Sequence, residues 1–395
     1  MANEFMADRV TSLKASAIRE IFKMVGQSDI ISLAGGNPSA EIFPKEILAS
    51  LAEKILREEG TTALQYGVTE GYAPLRAKVK KDLKDKGILH DTDDALITSG
   101  GQQLIDLCAK TLINDGDVVA VEAPSFIGGL NCFRSYNGKL IGIDMEDDGM
   151  NLDRLEALAK KEKIKLVYTI PTFQNPTGIT MSLEKRKRLL EMASIYDFYI
   201  LEDNPYGALR FSGADIQTIK SMDDSGRVIY AGSFSKVISP GLRVGFGAAR
   251  ADIFDRMVVC KQVQDVHTPC LNQMLVNKFI EEYDFDAHIK KSIDMYKEKC
   301  AKMISCMDEY FPSFCTHTVP EGGIFLWCSL SGDYDTKKIM AECIEKKVAF
   351  VPGATAMVDI DKPCNQFRLN YSTPTLSDIE KGIFIISEVL KNVGK

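Results

Sequence analysis

Between about residues 90 and 250, short apolar runs rich in β-branched residues alternate with stretches of helical periodicity. The runs are ALIT (95–98), VVAVE (118–122), LIGIDM (140–145), KLVYTI (165–170), FYILED (198–203), RVIYAG (227–232) and VGFGAA (244–249). Near-continuous apolar strands separated by helix-length connections are the signature of a mainly parallel sheet covered by helices on both faces. The connection from Gly232 to Val244 is too short for a crossover helix, so the last run is expected to pair antiparallel. Residues from about 252 to 310 have a helical pattern rich in Lys, Glu and Met. After them come a strand at 323–330, a helix near 336–347, VAFVPG, a strand at 365–372 and a closing helix over about 376–391. The expected fold class is α/β: a large domain on a mainly parallel seven-stranded sheet with one antiparallel strand, plus a smaller α+β domain. The expected division is an N-terminal arm (1–45) packing on the small domain, a large domain (46–285) and a small C-terminal domain (286–395).

A chain of 395 residues is longer than one core usually grows, which fits two unequal domains. Its formal net charge of -7 carries no compensating basic block, which argues against nucleic acid or an anionic membrane as partner and for small-molecule chemistry. The opening sixteen residues lack an apolar signal core, and no later run reaches transmembrane length, so a cytoplasmic protein is expected. Ten cysteines are scattered without a C-x-x-C pair, and there are only four histidines. The cysteines read as reduced, mostly buried small side chains, and no metal site is expected.

In an open α/β sheet, ligands bind beyond the carboxyl ends of the parallel strands. There the polar residues gather: SGGQQ (99–103), APSF (123–126), the run to NPTG (175–178), Asp203 followed by NPY (204–206), and SFSK (233–236). Gly100, Gly101 and Gln102 stand between a strand and a helix, where N–H groups and the helix dipole favour an anion, although a glycine pair is also an ordinary tight turn. Ser233, Ser235 and Arg243 add two hydroxyls and a guanidinium, a donor set suited to phosphate or to a solvated loop. Asp203 closes an apolar strand, where a carboxylate needs a cationic partner such as a pyridinium nitrogen, unless it only shapes the turn before Pro205.

Eight motifs in order carry a resemblance: SLAGGNP (32–38), LQYG (64–67), TSGGQQ (98–103), NPTG (175–178), EDNPY (202–206), SFSK (233–236), GLRVG (241–245) and FRL (367–369). Along almost its whole length the chain resembles the fold-type I, class I/II aminotransferases that use pyridoxal 5'-phosphate (PLP), in the 2-aminoadipate and kynurenine branch. The resemblance implies that Lys236 binds the cofactor as a Schiff base and then shuttles a proton. It implies that Asp203 pairs with the ring nitrogen, that Asn175 and Tyr206 hydrogen-bond the ring hydroxyl, and that Phe126 stacks on the ring. The phosphate falls to Gly100, Gly101, Gln102, Ser233, Ser235 and Arg243. Tyr66 is implied to reach the phosphate of a neighbouring subunit in a homodimer. Arg368, with Asn175, is implied to hold the substrate α-carboxylate, where an isolated strand arginine otherwise reads as solvent-facing. Arg19, in SAIRE (16–20), reads either as a surface residue or as a ligand of the substrate side chain, with Gly35 and Gly36 in the loop beside it. His267 has no partner spacing and reads as structural.

The expected partners are amino acids and 2-oxo acids such as 2-oxoglutarate. Two other readings share the fold: a PLP-dependent C–S β-lyase, which the cofactor motifs do not separate from a transaminase, and an effector domain of a transcription regulator. Such regulators carry a basic winged-helix module ahead of this fold. This acidic chain enters the catalytic-type pattern within its first few tens of residues, which ranks that reading last.

Overall fold

The seven apolar runs become strands of one sheet in the computed structural model, which describes Met6, Ala7, Arg9, Leu13 and residues 30–394. After a short strand β1 (Ile31–Ser32), they are β2 (Asp93–Thr98), β3 (Val118–Ala123), β4 (Lys139–Glu146), β6 (Ile164–Thr169), β7 (Tyr199–Asp203), β8 (Val228–Ser233) and β9 (Gly245–Arg250). Strand β9 runs antiparallel between β2 and β8, as the short connection before it requires. An eighth strand, β5 (Gly149–Met150), extends the expected seven: the chain folds back on the end of β4 through a hairpin. Two residues make no periodic signal, so the sequence pattern could not contain it. The order across the sheet is β2-β9-β8-β7-β6-β3-β4-β5.

Both faces of the sheet are covered, which is why its strands are apolar at consecutive positions. Val119, Val121, Leu166, Tyr168 and Leu201 pack with residues of the helices Gly101–Leu112, Ile127–Ser135 and Ala251–Gln264. Val118, Ala120, Ile164, Val167 and Ile200 face the other way, towards the helices Leu152–Ala159 and Leu183–Tyr196.

Past three helices (Ala251–Gln264, Cys270–Glu282 and Phe285–Tyr310) a second, antiparallel sheet forms from β10 (Cys315–His317), β11 (Phe325–Leu330), β13 (Val351–Pro352) and β14 (Gln366–Asn370), in the order β10-β11-β14-β13. Strand β1 pairs parallel with β12 (Val348–Ala349), and the Asn370 N–H donates to the Leu33 carbonyl at 2.8 Å. Residues 31–33 are thereby fastened to the C-terminal part of the chain, which carries the next residues, Ala34 to Gly36, towards the end of β14. All ten cysteines are free and nine are buried. Among the described residues no helix is long and apolar enough to cross a membrane, and no group of three or more His, Cys, Asp or Glu is placed to hold a metal ion.

Candidate active site

The carboxyl ends of β2 and β8 and the amino end of β9 converge on one turn. Gly100 lies at φ +85°, and the helix Gly101–Leu112 starts behind it with no side-chain cap, leaving first-turn N–H groups free to bind an anion. A Cβ on Gly100 would sit 2.4 Å from the Arg243 guanidinium, and a Cβ on Gly245 would sit 2.7 Å from the Gly100 carbonyl carbon. Only glycine permits so close an approach of the two backbones. Arg243 Nη2 donates to the Ser99 carbonyl at 3.1 Å, and the Ser235 N–H donates to Ser233 Oγ at 3.1 Å. A Cβ on Gly101 would lie 3.8 Å from that of Ser233. Two hydroxyls, a guanidinium and uncapped N–H groups thus share one cradle, a donor set that fits a phosphate. A cavity of about 680 Å³ opens beside it, lined in part by Ser99, Gln102, Asn131 and Arg243.

Lys236 follows β8 by three residues. It is half-buried, and its Nζ donates to the Gly36 carbonyl at 2.7 Å and lies 5.8 Å from the centre of the Tyr206 ring. Burial, with Arg368 and Arg243 nearby, pulls its ammonium down to about 8, against the opposing pull of Asp203. Asp203 is buried at the end of β7 and accepts a hydrogen bond from the Tyr168 hydroxyl at 2.8 Å. Burial pushes its carboxyl up to about 7, opposed by the Tyr168 bond and reinforced by Glu122.

Arg368 projects from β14 into the same space and is only 5% exposed, which excludes the solvent-facing alternative. Its guanidinium lies 4.2 Å over the Phe325 ring, donates to Asn175 Oδ1 at 3.0 Å and reaches the Ala34 and Gly35 carbonyls at 2.8 and 3.3 Å. Its Nε is buried without a partner, a donor still available to a carboxylate. Tyr206 is buried edge-on to Phe325 at 5.7 Å and bonds to Asn175; burial pushes its hydroxyl up.

The sequence profile of "Aminotransferase class I and II" matches residues 28–386. The chain belongs to this family. It is 41% identical to an aromatic-amino-acid aminotransferase of Thermococcus litoralis, over 98% of this chain and 94% of that one. It is 38% identical to a 2-aminoadipate transaminase of Thermus thermophilus, over 96% and 95%. Its fold superposes with a TM-score of 0.96 on a kynurenine aminotransferase of Pyrococcus horikoshii solved with PMP, at 39% identity over 100% of this chain and 98% of that one. It is therefore a PLP-dependent aminotransferase, and the family, fold class and cofactor expected from the motifs are borne out.

In this aminotransferase, Phe126 stands at the start of the helix Ile127–Ser135, with Gln102 beside it: a Cβ on Gly128 would meet both side chains at 2.4 Å. Gln102 Nε2 donates to the Gly128 carbonyl at 3.0 Å. Gly36 is close to Arg368 and Phe325. Tyr66 stands apart, 81% exposed and edge-on to His267 at 5.8 Å. His267 Nδ1 meets the Thr268 carbonyl at 2.9 Å. Arg19 lies outside the described residues.

Two residues beside Asp203 were not singled out from the sequence. Tyr168 reads as one more apolar strand residue in KLVYTI, and only the adjacency of β6 and β7 brings its hydroxyl to Asp203. Glu122 did carry a signal, as a carboxylate in an otherwise apolar run. Its donors are Thr169 Oγ1 at 2.5 Å, Gln174 Nε2 at 3.0 Å and the Ile170 N–H at 3.2 Å, and burial pushes it up to about 7.

Proposed function

We propose that this aminotransferase passes an amino group from an aromatic, aliphatic or 2-aminoadipate-like amino acid to a 2-oxo acid such as 2-oxoglutarate, with Lys236 as the attachment point and proton carrier. The observation that carries the reading is the Lys236 amine, held by the Gly36 carbonyl at 2.7 Å within the electrostatic reach of Asp203, Arg368 and Arg243, with the phosphate cradle at its own strand end. The names of the relatives support the aromatic and 2-aminoadipate-like part of that range.

Bound PLP supplies an electron sink for the substrate α-carbon. Gly100, Gly101, Gln102, Ser233, Ser235 and Arg243 would hold its phosphate, Asp203 its ring nitrogen, Asn175 and Tyr206 its ring hydroxyl, and Phe126 its ring face. Lys236 Nζ, depressed to about 8, is partly a free amine at neutral pH, so it can accept a proton and return it without a large barrier. Asp203 Oδ2 is fixed by Tyr168, which aims the carboxyl. Arg368 offers its unpartnered Nε to a carboxylate, while the bond to Asn175 and the Phe325 ring below fix the guanidinium plane.

Also proposed are a homodimer in which Tyr66 reaches the partner's phosphate, a cytoplasmic location, and a division into an arm (1–45), a large domain (46–285) and a small domain (286–395). The exposed Tyr66 supports the first.

The test is a half-reaction panel. Glutamate and a series of aromatic, aliphatic and acidic amino acids are added to the purified holoenzyme, and the loss of the absorbance of bound PLP is followed, then its return with a 2-oxo acid. Conversion by at least one donor and return with the oxo acid is expected; no change with any donor would defeat the reading. Arg19→Ala should weaken acidic donors selectively, whereas equal loss for neutral ones would remove Arg19 from the substrate site.

A further inference from the structure

Behind the phosphate turn lies a cation that the chemistry above does not use. Lys261, on the helix Ala251–Gln264, is 0% exposed, and its Nζ contacts Asp265 Oδ1 and Oδ2 at 2.8 and 3.0 Å, Gln103 Oε1 at 2.8 Å and Thr268 Oγ1 at 3.1 Å. Asp265 Oδ2 in turn accepts from Ser99 Oγ at 2.9 Å and from Gln103 Nε2 at 2.6 Å. Gln103 Oε1 also accepts the Ser99 N–H at 2.7 Å. Ser99 is therefore held at three atoms: its N–H by Gln103, its hydroxyl by Asp265, and its carbonyl by Arg243 at 3.1 Å. It is the residue between β2 and Gly100.

We infer that the Lys261–Asp265 pair, its lysine buried and its carboxylate partly exposed, is a positioning device for the phosphate cradle: through Ser99 and Gln103 it fixes both the turn that presents the Gly101 and Gln102 N–H groups and the carbonyl that orients Arg243. The inference rests on the reading of that cradle as the phosphate site. Burying the Lys261 ammonium is costly, which makes the pair a poor device for stability alone. Placed here, Asp265 Oδ2 touches the turn at Ser99, and Lys261 Nζ holds Gln103, which does the same. Asp265 reaches the wall of the cavity beside the cradle, but it is an acceptor and no part of the donor set; both residues act through the geometry of Ser99. The consequence is specific to the phosphate. Loosening the turn should weaken whatever binds there through an anion and leave the ring and Lys236 contacts alone.

The experiment compares apo-enzyme titrated with PLP and with pyridoxal, which lacks the phosphate. For Asp265→Asn, PLP affinity should fall about tenfold, as expected for a hydrogen-bonded polar cluster left incompletely satisfied, while pyridoxal affinity changes less than about twofold. If Asp265→Asn does not fold, Ser99→Ala removes one contact and leaves the ion pair, and it should lower the PLP-to-pyridoxal affinity ratio in the same direction. An equal loss for both ligands, or an unchanged ratio, overturns the inference. Arg243→Lys tests the cradle itself. If it lowers the ratio and Asp265→Asn does not, only the positioning role fails. If neither lowers it, the cradle reading falls and the positioning role with it.

Discussion

Asp203 and Lys236 are displaced in opposite directions by the same burial. The carboxyl, ordinarily near 3.8, is raised to about 7, so the fold favours its neutral form; the stability it contributes is fully present below about pH 4 and is lost as pH rises through about 7. The Lys236 ammonium, ordinarily near 10.5, is lowered to about 8; its contribution is present above about pH 10.5 and is lost as pH falls through about 8. In the apo-protein, Asp203→Asn removes the first effect and, by removing the opposing pull of Asp203, leaves the Lys236 ammonium lowered at least as far. Its melting temperature relative to the parent should therefore climb between pH 4 and pH 7 and level off above; thermal unfolding across that range checks this, and a constant difference would contradict it. At this scale the sequence was informative where a polar residue interrupts an apolar strand end, as Asp203 and the Ser233–Lys236 run do. It was silent on Tyr168, because a tyrosine on a doubly covered strand has the pattern of core until the neighbouring strand is known.

Elements place these residues, and one of them does so against the run of the sheet. Strand β9, antiparallel between β2 and β8, returns Arg243 to the turn after β2 and seats Gly245 against Gly100. The shortness of the Gly232–Val244 connection made that reversal legible, whereas β5, two residues long, left no periodic trace. Gly245→Ala would force a Cβ to 2.7 Å from the Gly100 carbonyl carbon. The backbones must part, which should cost about 1–3 kcal/mol and loosen the cofactor. Chemical unfolding and the rate of PLP release measure the two effects, and a variant unchanged in both would show that the contact is dispensable. The N-terminal strand β1 was expected only as part of an arm packing on the small domain. Its pairing with β12 is set by main-chain bonds between two-residue segments, too short to be read from periodicity.

On the scale of the whole molecule, Leu64, Tyr66 and Val68 are exposed at 76%, 81% and 61% within five residues, and Val263 at 77%, apolar surface that suits an interface. No periodicity in the chain announced it; only the resemblance gave Tyr66 a destination. Light scattering should find a dimer. Leu64→Asp with Val263→Asp should yield monomers, and Tyr66→Phe should keep the dimer and weaken PLP binding about tenfold, the loss of one hydroxyl from a charged ligand. Full PLP affinity in a monomer would contradict the shared site. All of the proposed chemistry converges on one nitrogen, Lys236 Nζ. The most direct measurement is borohydride reduction of the holoenzyme, followed by mass spectrometry of the intact chain and its peptides. The parent should carry one reduced cofactor on Lys236, and Lys236→Ala, folded by its circular dichroism, should carry none; an adduct that persists in the variant would contradict the assignment.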